Sequence, residues 1–251
     1  MAILNGLHGG LTPDSEDPSN LKIPNLVAAK RFGKALLDRH GLYKSMKNAL
    51  DILAGTGNPM DVLVGYCHLM RQRDITGDAF AKTEEHHRDS IWITILENPA
   101  IKPKAEYQVR KWTNKKGFVD LLITDNKNHY TVIEFKNIQI PYLELGGEED
   151  IDKAEQVEAM RLNEILKLKF KGDKFRSGTI QKWIDEGKCY DSNSGKVRKQ
   201  LQSYVKGPTV QEEIAGKDFR ALAVVIVGSR QILVREMDRD GNWVSEFRLA
   251  K

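Results

Sequence analysis

Several things are scarce in this sequence, and each scarcity removes a class of protein. There are only two cysteines, Cys67 and Cys189, far apart and without a CxxC partner. They read as reduced thiols, which suits an intracellular protein, cytoplasmic or nuclear, better than a disulfide-stapled one. No apolar run reaches membrane-spanning length, and the opening MAILNGLHGG lacks the basic-then-apolar profile of a secretory signal, so no membrane role is expected. No internal repeat and no low-complexity tract is present.

What remains is ordinary globular composition. The 251 residues are 40% hydrophobic and 29% charged, enough for one substantial core and a smaller lobe. A formal net charge of +4 and a pI near 8.9 suit a polyanionic partner without demanding one.

Periodicity divides the chain. Residues 1–25 carry glycines, prolines and aspartates with little apolar rhythm and read as a loose lead-in. From 26 to 77 apolar residues recur at helical spacing, interrupted by GTGNP, and predict a helical lobe. A helix is expected over 78–97, stopped by Asn98-Pro99. The texture then changes to EYQVRKW (106–112), FVDLLIT (118–124) and HYTVIEF (129–135), three segments separated by TNKKG and DNKN, which predict a β-meander. Helix returns over 150–170 and 197–205, followed by strands at 219–228 and 231–238. The sum is an α/β domain over 78–251, a mixed sheet flanked by helices, with an insertion at 138–195.

The chemistry concentrates in VIEFK, residues 132–136. Strand alternation puts Val132, Glu134 and Lys136 on one face and sends Ile133 and Phe135 into a core. A carboxylate and an ammonium beside core residues pay a desolvation penalty unless a partner compensates, and a divalent cation ligated by Glu134 is such a partner. Asp120 is a lone acid in the preceding apolar strand and falls near Glu134 if the two strands form a simple hairpin. Two carboxylate oxygens from neighbouring strands supply part of a Mg²⁺ or Mn²⁺ shell, with Lys136 beside the attacking water.

The pattern GFVD-x13-EFK resembles the PD-(D/E)XK nuclease superfamily, with Val119 where the motif has its proline. The resemblance implies a restriction-endonuclease-like core and metal-dependent phosphodiester cleavage. It also implies a Glu on the helix before the sheet: Glu85, or its neighbour Glu84, with Glu85 preferred because it shares a face with Asp89 and Trp92. A following helix with Gln-x-x-x-Tyr corresponds to Gln200 and Tyr204. The branch found behind AAA-ATPase-like modules is the nearest in pattern, yet no GxxxxGK[ST] occurs in this chain.

Other features have plainer readings. Adjacent His86 and His87 point a third of a turn apart and read as surface residues. KLKFKGDKFR (167–176) could grip phosphates with Phe170 or Phe175 near a base, or be a solvated helix end. Arg230, in a GSR link, reads as a turn residue before a phosphate contact. The expected function is a Mg²⁺- or Mn²⁺-dependent endonuclease acting on DNA. Asp120, Glu134 and Glu85 would hold metal, Lys136 and Gln200 would complete the catalytic set, and a homodimer would be compatible. The alternative is a catalytically inactive nuclease-fold module binding nucleic acid or a protein partner, within an effector or mobile-element protein.

Overall fold

A computed structural model describes residues 43–72, 83–125, 127–171, 178–186 and 197–251, with 12–13, 21–22, 31, 34–35 and 38 before them. Most of the lead-in at 1–25, Cys189 and the 172–177 part of the basic run, with Phe175, lie outside the described residues. Among the described residues no helix is long and apolar enough to cross a membrane.

Helices α1 (Tyr43–Thr56) and α2 (Met60–Gln72) flank the GTGNP break. Gly57, at φ +65°, gives its N–H to the carbonyl of Leu53 and ends the first helix. The Asn58 side chain accepts the N–H of Met60 and starts the second. Helix α3 (Glu84–Ile95) is capped by Thr83, whose hydroxyl accepts the His86 N–H. The sheet follows: β1 (Ile101–Arg110), β2 (Lys116–Asp125) and β3 (His129–Ile138), all antiparallel neighbours. The expected meander is present: the second and third strands run beyond their estimates, while the first is shifted, starting at Ile101 and ending at Arg110 before Lys111 and Trp112. Asp125 closes the second turn by accepting the N–H groups of Lys127 and His129, and Asn128 takes a left-handed φ of +78°.

A long crossover carries α4 (Asp150–Ala159), α5 (Leu162–Lys167), α6 (Ile180–Glu186), α7 (Val197–Val205) and α8 (Pro208–Glu213). It returns to β4 (Asp218–Val227), which pairs parallel to β3. Strands β5 (Gln231–Met237) and β6 (Arg248–Leu249) complete a six-stranded mixed sheet in sequential order. The continuous apolar run of β4 is explained by its central place. Its odd residues from Ala221 to Val227 enter one core and its even residues from Leu222 to Ile226 enter the other.

The two cores revise the domain reading. Met46, Leu53, Leu63 and Tyr66 of the helical stretch pack with Ile91, Ile133 and Phe135 in a single cluster. The helices at 43–72 are therefore a layer on one sheet face, not a separate lobe. The stretch 138–195, expected as an insertion, supplies Ile140, Ala154, Val157, Ile165 and Trp183 to the core on the opposite face. Val132, assigned by alternation away from the core, is fully buried there. A sheet covered on both faces has no solvent side for it to meet.

The helix expected over 150–170 breaks at Met160. The buried Gln231 amide donates to the carbonyls of Glu158 and Val157, satisfying the end of α4, while Glu164 accepts the Arg161 N–H and starts α5.

Candidate active site at the fork of two strands

The β2–β3 ladder runs from Thr124↔Tyr130 to Leu121↔Ile133 and stops. The next pair in register would be Asp120 and Glu134. In its place the Asp120 carboxylate accepts the Phe135 N–H at 2.7 Å, so a side chain takes over a ladder bond and the strands fork. On the other side of β2 the ladder skips the same level, between Ala105↔Leu121 and Tyr107↔Val119, where Glu106 holds a left-handed φ of +49°. Two ladders interrupted at one residue leave room for chemistry within the sheet.

Glu134 is completely buried and Lys136 nearly so. The Lys136 ammonium donates to Glu134 at 2.8 Å, to Glu84 at 3.0 Å and to the Phe135 carbonyl at 2.6 Å. Asp120 and Glu134 lie within side-chain hydrogen-bonding reach of each other. Glu134 Oε2 nevertheless has no donor. With both carboxylates ionised neither can supply a proton to the other, and this buried oxygen would then be without compensation.

The electrostatics agree. Burial pushes the Glu134 carboxyl up to about 8, against the opposing pull of Lys136. Asp120 and Glu84 are also raised, again chiefly by burial. Burial alone would lower the Lys136 ammonium, but Glu134, Glu84 and Asp120 together outweigh it and raise it. With all three carboxyls ionised, three carboxylates against one ammonium would leave a formal −2 (−3 + 1) at the fork, and burial opposes that charge in the metal-free protein.

The expected residues are not all gathered here. Asp120, Glu134 and Lys136 come together, whereas Glu85 is exposed and Glu84 takes the place at the lysine. This corrects the preference for Glu85. Neighbouring helical residues point about 100° apart, and the buried stripe of α3 runs through His87, Ile91 and Ile95, with Trp92 only half-buried. Counting back from Ile91 by seven reaches Glu84; counting from Trp92 had reached Glu85. Gln200 is close to the site but indirect: its amide donates to the Tyr204 hydroxyl at 3.2 Å. Tyr204 is pushed up to about 12 by burial and by the negative charge of Glu134 and Asp120, which places its ring beside the acids.

Arg88 went unnoticed in the sequence. It lies one turn after Glu84, pairs with Asp89 and Glu106 at 2.9 and 2.8 Å, and its charge is felt at both Asp120 and Glu84. Position i+4 from the helical acid was the available signal.

Three plainer readings change. His87 is buried, with Nδ1 at 2.9 Å from the Tyr66 hydroxyl and Nε2 at 3.3 Å from Ser229, so of the adjacent pair His86 alone is exposed. Arg230 is buried and donates to the Met70 carbonyl at 3.3 Å. Phe170 packs edge-on to Trp183 in the core and cannot offer its face to a base.

Among the described residues no three His, Cys, Asp or Glu side chains form a ready metal cage. Mg²⁺ does not need one: it is held by one or two carboxylates, with water and substrate oxygens completing the shell. Asp120 and Glu134 are such a pair, and the unpartnered Oε2 together with the surplus negative charge fits one divalent cation. No family model, curated protein or solved structure matches the chain.

Proposed function

We propose that this protein is a metal-dependent endonuclease of the PD-(D/E)XK type, hydrolysing phosphodiester bonds, most naturally in DNA. One observation carries the reading: Asp120 and Glu134 on forked neighbouring strands, with a buried Glu134 oxygen unpartnered and Lys136 two residues on. The order of elements supports it, a helical Glu before the meander, then the lone Asp, then E-x-K on the third strand.

Asp120 and Glu134 would hold Mg²⁺ or Mn²⁺. When bound, such an ion lowers the pKa of water and neutralises charge on a phosphate. Lys136 holds a positive charge at the fork, where a phosphoryl oxygen would gain charge, with its three N–H donors taken by Glu134, Glu84 and the Phe135 carbonyl. Glu84 anchors that ammonium from outside the sheet. Gln200 donates to the Tyr204 hydroxyl, and Tyr204 is close enough to feel the charge of Glu134 and Asp120 from the α7 side.

Supercoiled plasmid and a single-stranded DNA circle, each incubated with the protein and Mg²⁺ or Mn²⁺, test this. Cutting is expected from the wild type and not from Lys136→Ala; equal cutting by both, or none by the wild type, rejects the reading.

A further inference from the structure

The tip of the β1–β2 arm is built unlike the rest of the surface. Between Tyr107 and Phe118 there are four cations, Arg110, Lys111, Lys115 and Lys116, and no acid. Two aromatic rings stand in solvent on it, Trp112 at 63% and Phe118 at 52% exposure. A bulky ring left in water forfeits its burial energy, so two such rings on one basic arm call for an explanation. Lys206 sits over the Trp112 ring at 5.0 Å, and Lys111 over Tyr204 at 5.1 Å.

The arm is firmly held. The Trp112 N–H bonds the Ser203 carbonyl at 3.0 Å, and the Arg110 N–H bonds the Thr209 hydroxyl at 2.9 Å. Val109 and Val119 are buried in the core that α7 and α8 also line. The opposite side of the arm bears the exposed Gln108, Arg110, Lys116 and Phe118. Phe118 is two residues from Asp120 along β2, roughly 7 Å at strand rise. The arm and the fork also share Tyr204, which lies beside the acids and under Lys111.

We infer that this tip binds unpaired nucleic acid, with bases stacked on Phe118 and Trp112 and phosphates taken by Arg110, Lys115 and Lys116, so that the strand entering the fork is single-stranded there. Base faces inside a duplex are covered by their neighbours, so an exposed ring gains little from a duplex and much from an unstacked base. The clustered cations supply the sequence-independent attraction to the backbone. The inference names the substrate form of the proposed nuclease and rests on that reading for the meaning of the fork.

Its test avoids catalysis. Fluorescence anisotropy in EDTA would follow fluorescein-labelled oligothymidylate of about 20 nucleotides, longer than a typical single-strand site. An oligouridylate and a duplex of equal length are the comparison probes. The unpaired oligomers are expected to bind about tenfold or more tightly than the duplex. Phe118→Ala and Trp112→Ala should each weaken them about tenfold, and Phe118→Trp should restore binding. Lys115→Ala combined with Lys116→Ala should reduce the salt slope for single strands by about 1.4. Binding to either the DNA or the RNA oligomer supports the proposal and names its source. Equal affinity for the duplex, full affinity without the rings, or an unchanged salt slope overturns it. Both rings are exposed, so circular dichroism should confirm intact folds. No cleavage enters this measurement, so its failure leaves the nuclease reading to the plasmid assay, and failed plasmid cleavage leaves the binding result standing.

Discussion

Lys136 and Arg230 are both buried cations, at 8% and 4% exposure, yet their surroundings differ in sign. Arg230 meets mainly neutral acceptors: the Met70 carbonyl at 3.3 Å, with the Glu158 carboxylate more distant at 3.6 Å. Burial therefore wins, and its guanidinium is lowered from the ordinary value. Lys136 meets an excess of acid and is raised. Arg71 completes the Arg230 cluster by donating to the Arg230 carbonyl and the Gln231 amide oxygen, so that α2 is tied to the β4–β5 link. Each cluster keeps one buried atom without a hydrogen-bond partner, but of opposite kind: a donor at Arg230 Nε and an acceptor at Glu134 Oε2. A buried cation among carbonyls serves structure, while a buried cation outnumbered by carboxylates marks a place where another positive charge belongs.

The sharpest way to break this comparison is substitution of both cations. Lys136→Ala should lower plasmid cleavage by about 10²–10³-fold with the far-ultraviolet spectrum retained. Arg230→Ala should leave cleavage per folded molecule near wild type while lowering unfolding free energy by about 1–3 kcal/mol, read in urea. If the two variants exchange phenotypes, the contrast is wrong.

A smaller effect separates neighbouring acids. Glu84→Gln should reduce cleavage by about tenfold, since it removes the outer anchor of the lysine, whereas Glu85→Gln should stay within about twofold. Equal effects would remove the helix-phase argument.

The smallest expected effect is on stability against pH in metal-free protein. The Glu134 carboxyl rises from 4.5 unfolded to about 8 folded. A group raised by folding stabilises fully below its unfolded value and loses that contribution as pH climbs through the folded one. The melting temperature should therefore fall by a few degrees between pH 5.5 and 8.5, and saturating Mg²⁺ should remove the slope, as should Glu134→Gln. A flat profile in wild-type, metal-free protein would show that the acids at the fork are already compensated.

Much of the frame was legible from local pattern. Alternation and turn chemistry marked the three strands of the meander, the Asp125 and Asn128 turn included, because those signals act within a few residues. The unbroken apolar run of β4 announced a strand buried on both faces. The site was legible in kind, since an isolated acid in an apolar strand costs too much to be idle. Helix α8 went unread, although Gly207-Pro208 places proline at the first position of a new helix.

By itself the sequence determined most of the strands and the presence of Asp120, Glu134 and Lys136 together on the meander. These follow from period-two alternation and from the cost of burying charge, both readable along one strand. Only the tertiary structure decided that Glu84 and not Glu85 reaches the lysine, and that Arg230 and His87 are interior. It also decided that both β2 ladders break at Asp120, and that described parts of 138–195 line a core. Each of those depends on helix rotation or on packing between residues far apart in the chain, and such contacts leave no period behind.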